Sequence, residues 1–289
     1  MSNSGLILLN KKTGITSFDA LGGIKRALGT GKVGHTGTLD KFASGLLVFL
    51  VGKALKLSRW FSHCDKKYYG RIRLGEETDT LDPEGEIIAK AELPTREETF
   101  NVLSRFTGEI MQAPPAYSAI HINGKRASSL ARSGKIPEMK KRPVTIYKLE
   151  LLSWQPPFAD IFVHCSSGTY IRSLARDIAL AAGSRGHLDS LKRTQVANFK
   201  IGNEEPPLPA PYSLLPINKE VISSLGGMQW LEVSQAEAQQ IFQGKLLDPI
   251  MKDKPLSSRN QAAAVFCEET IIAVVENDGA EWKYCCVIG

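Results

Sequence analysis

Six residues, Leu46 to Val51, form an unbroken apolar run between Gly45 and Gly52, and this run limits the possible folds more than any other stretch of the chain. It is far shorter than the roughly 18 residues a membrane helix needs. Its branched residues and its length suit a buried strand. The chain has 289 residues, and at roughly 150 residues per domain that gives about two domains. The apolar share is 43% counted with Tyr and without Gly. Exchanging the 7 Tyr for the 25 Gly brings it to about 49%, the usual globular proportion, which excludes wholesale disorder and fibrous repeats. The opening residues MSNSGLILLNKK are too short for the charged and apolar regions of a signal peptide. Five cysteines stand at 64, 165, 267, 285 and 286, without metal-ligand spacing, and read as free thiols of a reducing compartment. The expectation is a cytoplasmic protein with no membrane contact, no metal and no cofactor.

Net charge is +6, unevenly spread. From Gly226 onward five Lys and Arg face nine Asp and Glu, a net −4, so the preceding part carries +10. Seven basic residues crowd between His121 and Pro143: Lys125, Arg126, Arg132, Lys135, Lys140, Lys141 and Arg142, against the single acid Glu138. A run of charge is commonly a solvated face, but a basic first part with one dense cluster also fits a polyanionic partner.

Periodicity divides the chain further. Leu6 to Leu9 reads as a short strand. A helix follows that Ser17 can cap, with Leu21, Ile24 and Leu28 as its apolar stripe and Gly29 at its exit. Tyr68 to Leu74 alternates like a strand, and Asp82-Pro83-Glu84-Gly85 reads as a turn into a hairpin strand at Glu86 to Ala89. Thr95 and Glu98 form a capping box for a helix through Phe106. Val144 to Trp154 and Ile161 to Cys165 are predicted strands, and Tyr170 to Ala182 a predicted helix. Five prolines between 206 and 216 mark a linker at about 203–217. The predicted domains are 1–225 and 226–289, the second with strands at Ala263 to Phe266 and Ile271 to Val275.

The densest motif is Gly34-His35-Thr36-Gly37-Thr38-Leu39-Asp40, followed by Ala43-Ser44-Gly45-Leu46-Leu47. Three glycines, two threonines and an acid ahead of a buried strand describe a tight loop where backbone approaches a ligand and a carboxylate is held. From spacing alone a structural loop capped by Asp40 is the simpler reading. Gly29-x-Gly31-x-x-Gly34 matches a dinucleotide fingerprint but follows a helix instead of a strand. Gly29-x-x-x-x-Gly34-His35-Thr36 approaches a P-loop, yet His35 stands where the phosphate-binding lysine belongs. A nucleotide-dependent enzyme is therefore disfavoured.

The same string closely resembles the catalytic loop of the TruB family of tRNA pseudouridine synthases. Other stretches match that family in order. Asn10-Lys11-Lys12-x-Gly14 resembles its N-terminal motif and Asp65-Lys66-Lys67-Tyr68 its tyrosine motif. Ser167-Gly168-Thr169-Tyr170-Ile171-Arg172-Ser173-Leu174 resembles its second active-site strand, and Leu188-x-x-Leu191-x-Arg193-Thr194 its third. The resemblance covers about residues 5 to 200. Lys12, Lys41 and Ala197 depart from the family's usual residues, and Lys41 in place of proline is expected to loosen the Asp40 loop.

The resemblance implies an α+β fold: a mixed, mainly antiparallel sheet with a central active-site cleft, then a small β-rich PUA-like barrel. It implies isomerisation of uridine to pseudouridine in the T-loop of tRNA, position 55, by base flipping. The N1–C1′ bond breaks, the base turns and C5 joins C1′. By the same resemblance Asp40 is the catalytic carboxylate, Arg172 its cationic partner, and Tyr68 the ring that stacks on the flipped base and helps remove the C5 proton. The neighbouring Tyr69 is expected on the opposite strand face.

His35, which fills the space the base leaves, Tyr170, Leu191 and Lys11 are implied as substrate-binding. The segment from about 117 to 143 resembles the family's RNA-gripping insertion, so Lys125, Arg126, Arg132, Lys140, Lys141 and Arg142 are expected on phosphates. Relatives that work with guide RNA lack that insertion, so a stand-alone monomer acting on the tRNA T-arm is implied. The competing class is a non-catalytic RNA-binding or tRNA-folding protein on the same scaffold, which has no need of Asp40.

Overall fold

The structure, a computed structural model, describes residues 4–135, 137–201, 214–254 and 262–288. The predicted linker at about 203–217 lies outside these residues up to position 213. The larger part is built on one nine-stranded sheet. Its central path runs Gly5–Lys11, Ser44–Val51, Gly186–Val196, Lys66–Leu74, Phe158–Cys165, Arg142–Gln155 and Gly108–Gln112. Val33–His35 adds to Ser44–Val51, and Phe199–Lys200 adds to Gly186–Val196. All pairings are antiparallel except that of Gly186–Val196 with Ser44–Val51. The sheet is thus mixed and mainly antiparallel, as expected.

The apolar run has a direct physical explanation. Side chains alternate along a strand, and here both faces are covered. Leu47, Phe49 and Val51 join the core under the helices Ser17–Leu28 and Ile171–Ala181, beside Ile24, Ile72 and Leu174. Leu46, Val48 and Leu50 point the other way, against Phe61, Phe266 and Val274. Each such side chain contributes about 1.5–3 kcal/mol by leaving water. A strand with no polar face can only sit inside a sheet of this kind.

The C-terminal unit has its own sheet, in the order Gln229–Glu232, Ala262–Cys267, Thr270–Asn277 and Trp282–Val287. Ala264 and Phe266 face the large sheet, whereas Ala263 and Val265 join a separate small core with Ile241 and Ile272. Among the described residues this sheet is open, because Gln229–Glu232 and Trp282–Val287 do not pair with each other. The expected barrel is therefore not closed there.

Two local expectations are corrected. Thr16, not Ser17, caps the first helix: its side chain accepts from the Asp19 N–H while the Asp19 carboxylate accepts from the Thr16 N–H. Such a cap is worth about 1 kcal/mol, and it leaves the Ser17 hydroxyl free for a tertiary contact. The stretch 167–174, a strand by the family resemblance, is a turn that runs into the helix Ile171–Ala181, which agrees with the helix predicted from periodicity over Tyr170 to Ala182; Tyr170 stands at its cap in extended backbone. The Tyr170 side chain makes no cap hydrogen bond. Instead the Gln112 amide accepts from the Tyr170 N–H at 2.8 Å and donates to its carbonyl at 3.1 Å. The capping box of Thr95 and Glu98 is present as expected.

Candidate active site

The loop 34–43 is held from three sides. The Ser17 hydroxyl donates to the Leu39 carbonyl and accepts from the Leu39 N–H, each at 2.9 Å. The Gly14 N–H donates to the Lys41 carbonyl at 2.9 Å. Arg193, 2% exposed, donates through Nε to the Leu46 carbonyl at 2.7 Å and through a terminal nitrogen to the Gly37 carbonyl at 3.0 Å. Gly45 must be glycine: its φ is +106°, and a Cβ would stand 2.2 Å from the Arg193 carbonyl oxygen. The loop is thus pinned by hydrogen bonds on both sides of Lys41 and at the Lys41 carbonyl itself.

Lys11 is placed otherwise than expected. It is 1% exposed, and its ammonium donates to the carbonyls of Lys12, Ile15 and Ala43 at 3.0, 2.8 and 2.6 Å. Three backbone acceptors saturate its three N–H donors. It braces the loop from behind and is not among the residues that line the cleft at Asp40.

Asp40 projects from this loop with its side chain 37% exposed, onto an arginine that is 7% exposed. Arg172 Nε lies 3.0 Å from Asp40 Oδ2, and a terminal nitrogen donates to Oδ1 at 3.4 Å. The other donors reach Asp82 Oδ2 at 3.0 Å and the carbonyls of Thr80 and Tyr117 at 2.9 and 3.0 Å. Four of the five guanidinium N–H groups thus have a hydrogen-bond acceptor, and Nε faces Asp40 as an ion pair. Asp82 Oδ1 in turn accepts from the Thr80 hydroxyl at 2.6 Å and the Glu84 N–H at 3.1 Å. Burial raises the Asp40 carboxyl above its ordinary pKa, and the Asp82 carboxylate adds to the rise; Arg172 and Lys11 oppose it.

Around Asp40 is a cleft of about 640 Å³. Tyr68, Tyr170, Leu191, His35 and Arg172 all line it, so the structure brings these predicted residues together. Tyr68 is 6% exposed, and burial pushes its phenol up to about 12. It is therefore a neutral phenol at neutral pH. Tyr69 is exposed on the opposite strand face, as alternation requires. Burial and the nearby Arg193 lower the pKa of His35, which stands edge-on to Phe49. Lys66 also lines the cleft, and burial lowers its ammonium to about 8.

Sequence reasoning misses Asp82 and Arg193 as site residues. Asp82 reads from sequence as the start of an ordinary turn, and a buried arginine has no periodic signal. The one available clue is the Leu188-x-x-Leu191-x-Arg193 motif, which contains Arg193 itself.

The basic segment divides in two. Arg126 and Arg132 line the same cleft as Asp40. Lys125, Lys140, Lys141 and Arg142 are exposed on the same insertion, outside the cleft lining. None of these six forms an ion pair among the described residues. Their charge is available to an external anion.

This sheet, with a carboxylate and an arginine at the floor of a central cleft, has the architecture of a pseudouridine synthase. A chain in the crystal structure of a Cbf5–Nop10–Gar1 complex superposes with a TM-score of 0.70 over 99% of this chain and 85% of that one, at 21% identity. Residues 25–171 match the model of the TruB family pseudouridylate synthase N-terminal domain. The tRNA pseudouridine synthase B of Borreliella burgdorferi (strain ZS7) is 48% identical over 201 residues, 68% of this chain and 71% of that protein. The enzyme of the same name from Corynebacterium efficiens is 37% identical over 96% of this chain and 94% of its own length. The chain belongs to the TruB family of pseudouridylate synthases. It is an isomerase that converts uridine to pseudouridine in tRNA, and the non-catalytic alternative is not favoured. Among the described residues no helix is long and apolar enough to cross a membrane.

Proposed function

We propose that the uridine isomerised is the T-loop residue at position 55 of tRNA, and that the protein acts as a cytoplasmic monomer without guide RNA. The observation that carries this reading is the single cleft that holds Asp40, Arg172 and Tyr68 under the unpaired cations Arg126 and Arg132. Base flipping takes the uridine out of its stack, and an aromatic face replaces part of the lost stacking, on the order of 1–3 kcal/mol. Tyr68 supplies that face, with Leu191 and Tyr170 as walls. Asp40, ionised against Arg172, attacks the ribose or base or removes a sugar proton. His35 fills the gap left by the base. The catalytic domain runs to about residue 225 and the smaller unit from 226 to 289. Incubating the pure protein with an unmodified tRNA transcript and mapping pseudouridine tests the reading. Conversion at position 55 alone is expected, and conversion elsewhere with position 55 untouched overturns it.

The cations of the insertion bind phosphates and do not select sequence. Neutralising Lys125, Arg126, Arg132, Lys140, Lys141 and Arg142 together is expected to weaken tRNA binding and flatten its salt dependence. Each lost phosphate contact lowers the slope of log K against log salt by about 0.7–0.9. Equilibrium binding across a salt series measures this, and an unchanged slope removes the insertion from the RNA interface.

A further inference from the structure

We propose that the Ser118 hydroxyl recognises the flipped uracil, by a hydrogen bond to the polar edge of the ring. The proposal rests on the reading that the cleft at Asp40 receives a flipped uridine. Ser118 is 5% exposed and lines that cleft. Its Oγ is buried without a hydrogen-bond partner. The other buried serine and threonine hydroxyls behave differently. Those of Ser17, Thr36, Thr78, Thr99, Ser173 and Ser184 each donate to a main-chain carbonyl. Buried polar groups are normally paired, and an exception calls for a reason such as a missing ligand.

Two further observations agree. Three buried side-chain polar atoms lack a partner among the described residues, and two of them, Ser118 Oγ and His35 Nδ1, belong to residues that line this one cleft. The backbone around Ser118 is also fixed. The Tyr117 carbonyl accepts from Arg172 at 3.0 Å, the Ser118 carbonyl accepts from the Ser128 N–H at 3.0 Å, and the Tyr117 hydroxyl donates to Asp79 at 3.0 Å. The Tyr170 hydroxyl is close enough for Ser118 to offset part of the burial effect on its pKa, but the two do not meet in hydrogen-bond geometry. Ser118 is thus held at the wall beside the Tyr170 hydroxyl, with no partner in hydrogen-bond geometry.

Chemistry selects the ligand group. Phosphates are served by the charged Arg126 and Arg132 of the same cleft. A flipped uracil has lost its pairing partners and presents two carbonyl oxygens and an N–H. A hydroxyl both donates and accepts, so it suits that edge.

The test compares Ser118→Ala with the parent on two transcripts, one with uridine and one with an abasic residue at the target position. On the uridine transcript the variant is expected to bind about tenfold more weakly, while both proteins bind the abasic transcript alike. The melting temperature is expected to stay level or rise, since no protein partner is lost. Ser118→Cys, nearly isosteric and a weaker hydrogen-bonding group, is expected to fall between the two and carries the test if the alanine variant does not fold. An equal loss on both transcripts, no loss on either, or a loss that follows a drop in melting temperature overturns the proposal. If the parent itself neither converts the uridine nor distinguishes it from the abasic residue, the reading of the cleft fails instead.

Discussion

Asp40→Asn is expected to abolish pseudouridine formation in tRNA while leaving tRNA affinity within about tenfold, roughly 1.4 kcal/mol. The amide keeps the shape of the carboxylate and loses its charge and nucleophilicity. The variant is also expected to melt no lower than the parent. Burial raises the Asp40 pKa in the folded state, so the folded protein holds that proton more tightly than the unfolded chain does. Ionising Asp40 therefore lowers stability as pH rises from the unfolded value to the folded one. An uncharged residue removes that penalty, and Asp82 still pairs with Arg172. Turnover near that of the parent, measured by pseudouridine mapping, would remove Asp40 from the mechanism.

Arg172→Lys is expected to lower the rate on the order of a hundredfold, the scale of a misplacement of about 1 Å in a reacting group. Lysine keeps the charge but loses the planar fork. It offers three donors to the four hydrogen-bond acceptors that Arg172 serves, so some of the groups on Asp40, Asp82, Thr80 and Tyr117 are left unpaired. The pH dependence has a definite sign. Arg172 opposes the rise in the Asp40 pKa, and weakening it moves that pKa further up. Activity needs the ionised carboxylate, so the acid limb of the pH–rate profile shifts to higher pH. A limb that stays in place or moves to lower pH separates the arginine from the ionisation of Asp40.

Much of the large sheet was legible because its strands carry strong local patterns. Leu46 to Val51 is apolar throughout, and Tyr68 to Leu74 alternates. The glycine and threonine loop before Asp40 was legible as a tight turn, and resemblance supplied its chemistry. What escaped depends on contacts between distant residues. Asp82 lies in a stretch that reads as a turn, and its importance arises only when Arg172, 90 residues away, reaches it. Lys11 is implied by the resemblance as substrate-binding, yet the fold surrounds its ammonium with carbonyls. The helix cap fell on Thr16 because both Thr16 and Ser17 are good caps, and only the Leu39 contact decides between them.

The strand Gly186–Val196 lies between Ser44–Val51 and Lys66–Leu74, two strands that precede it by more than a hundred residues. This placement bears on how the protein is made. During synthesis the first two strands emerge early, each with an unpaired edge, the kind of edge that templates aggregation. They wait for the late strand before the sheet can close. Contacts this remote in sequence form slowly, because closing a long loop costs entropy before any pairing is gained. Arg193 travels on that last strand, and it ties Leu46 and Gly37 into place. The loop that presents Asp40 is therefore completed late, and a nascent chain that ends before Gly186 has the catalytic residue without the scaffold that holds it.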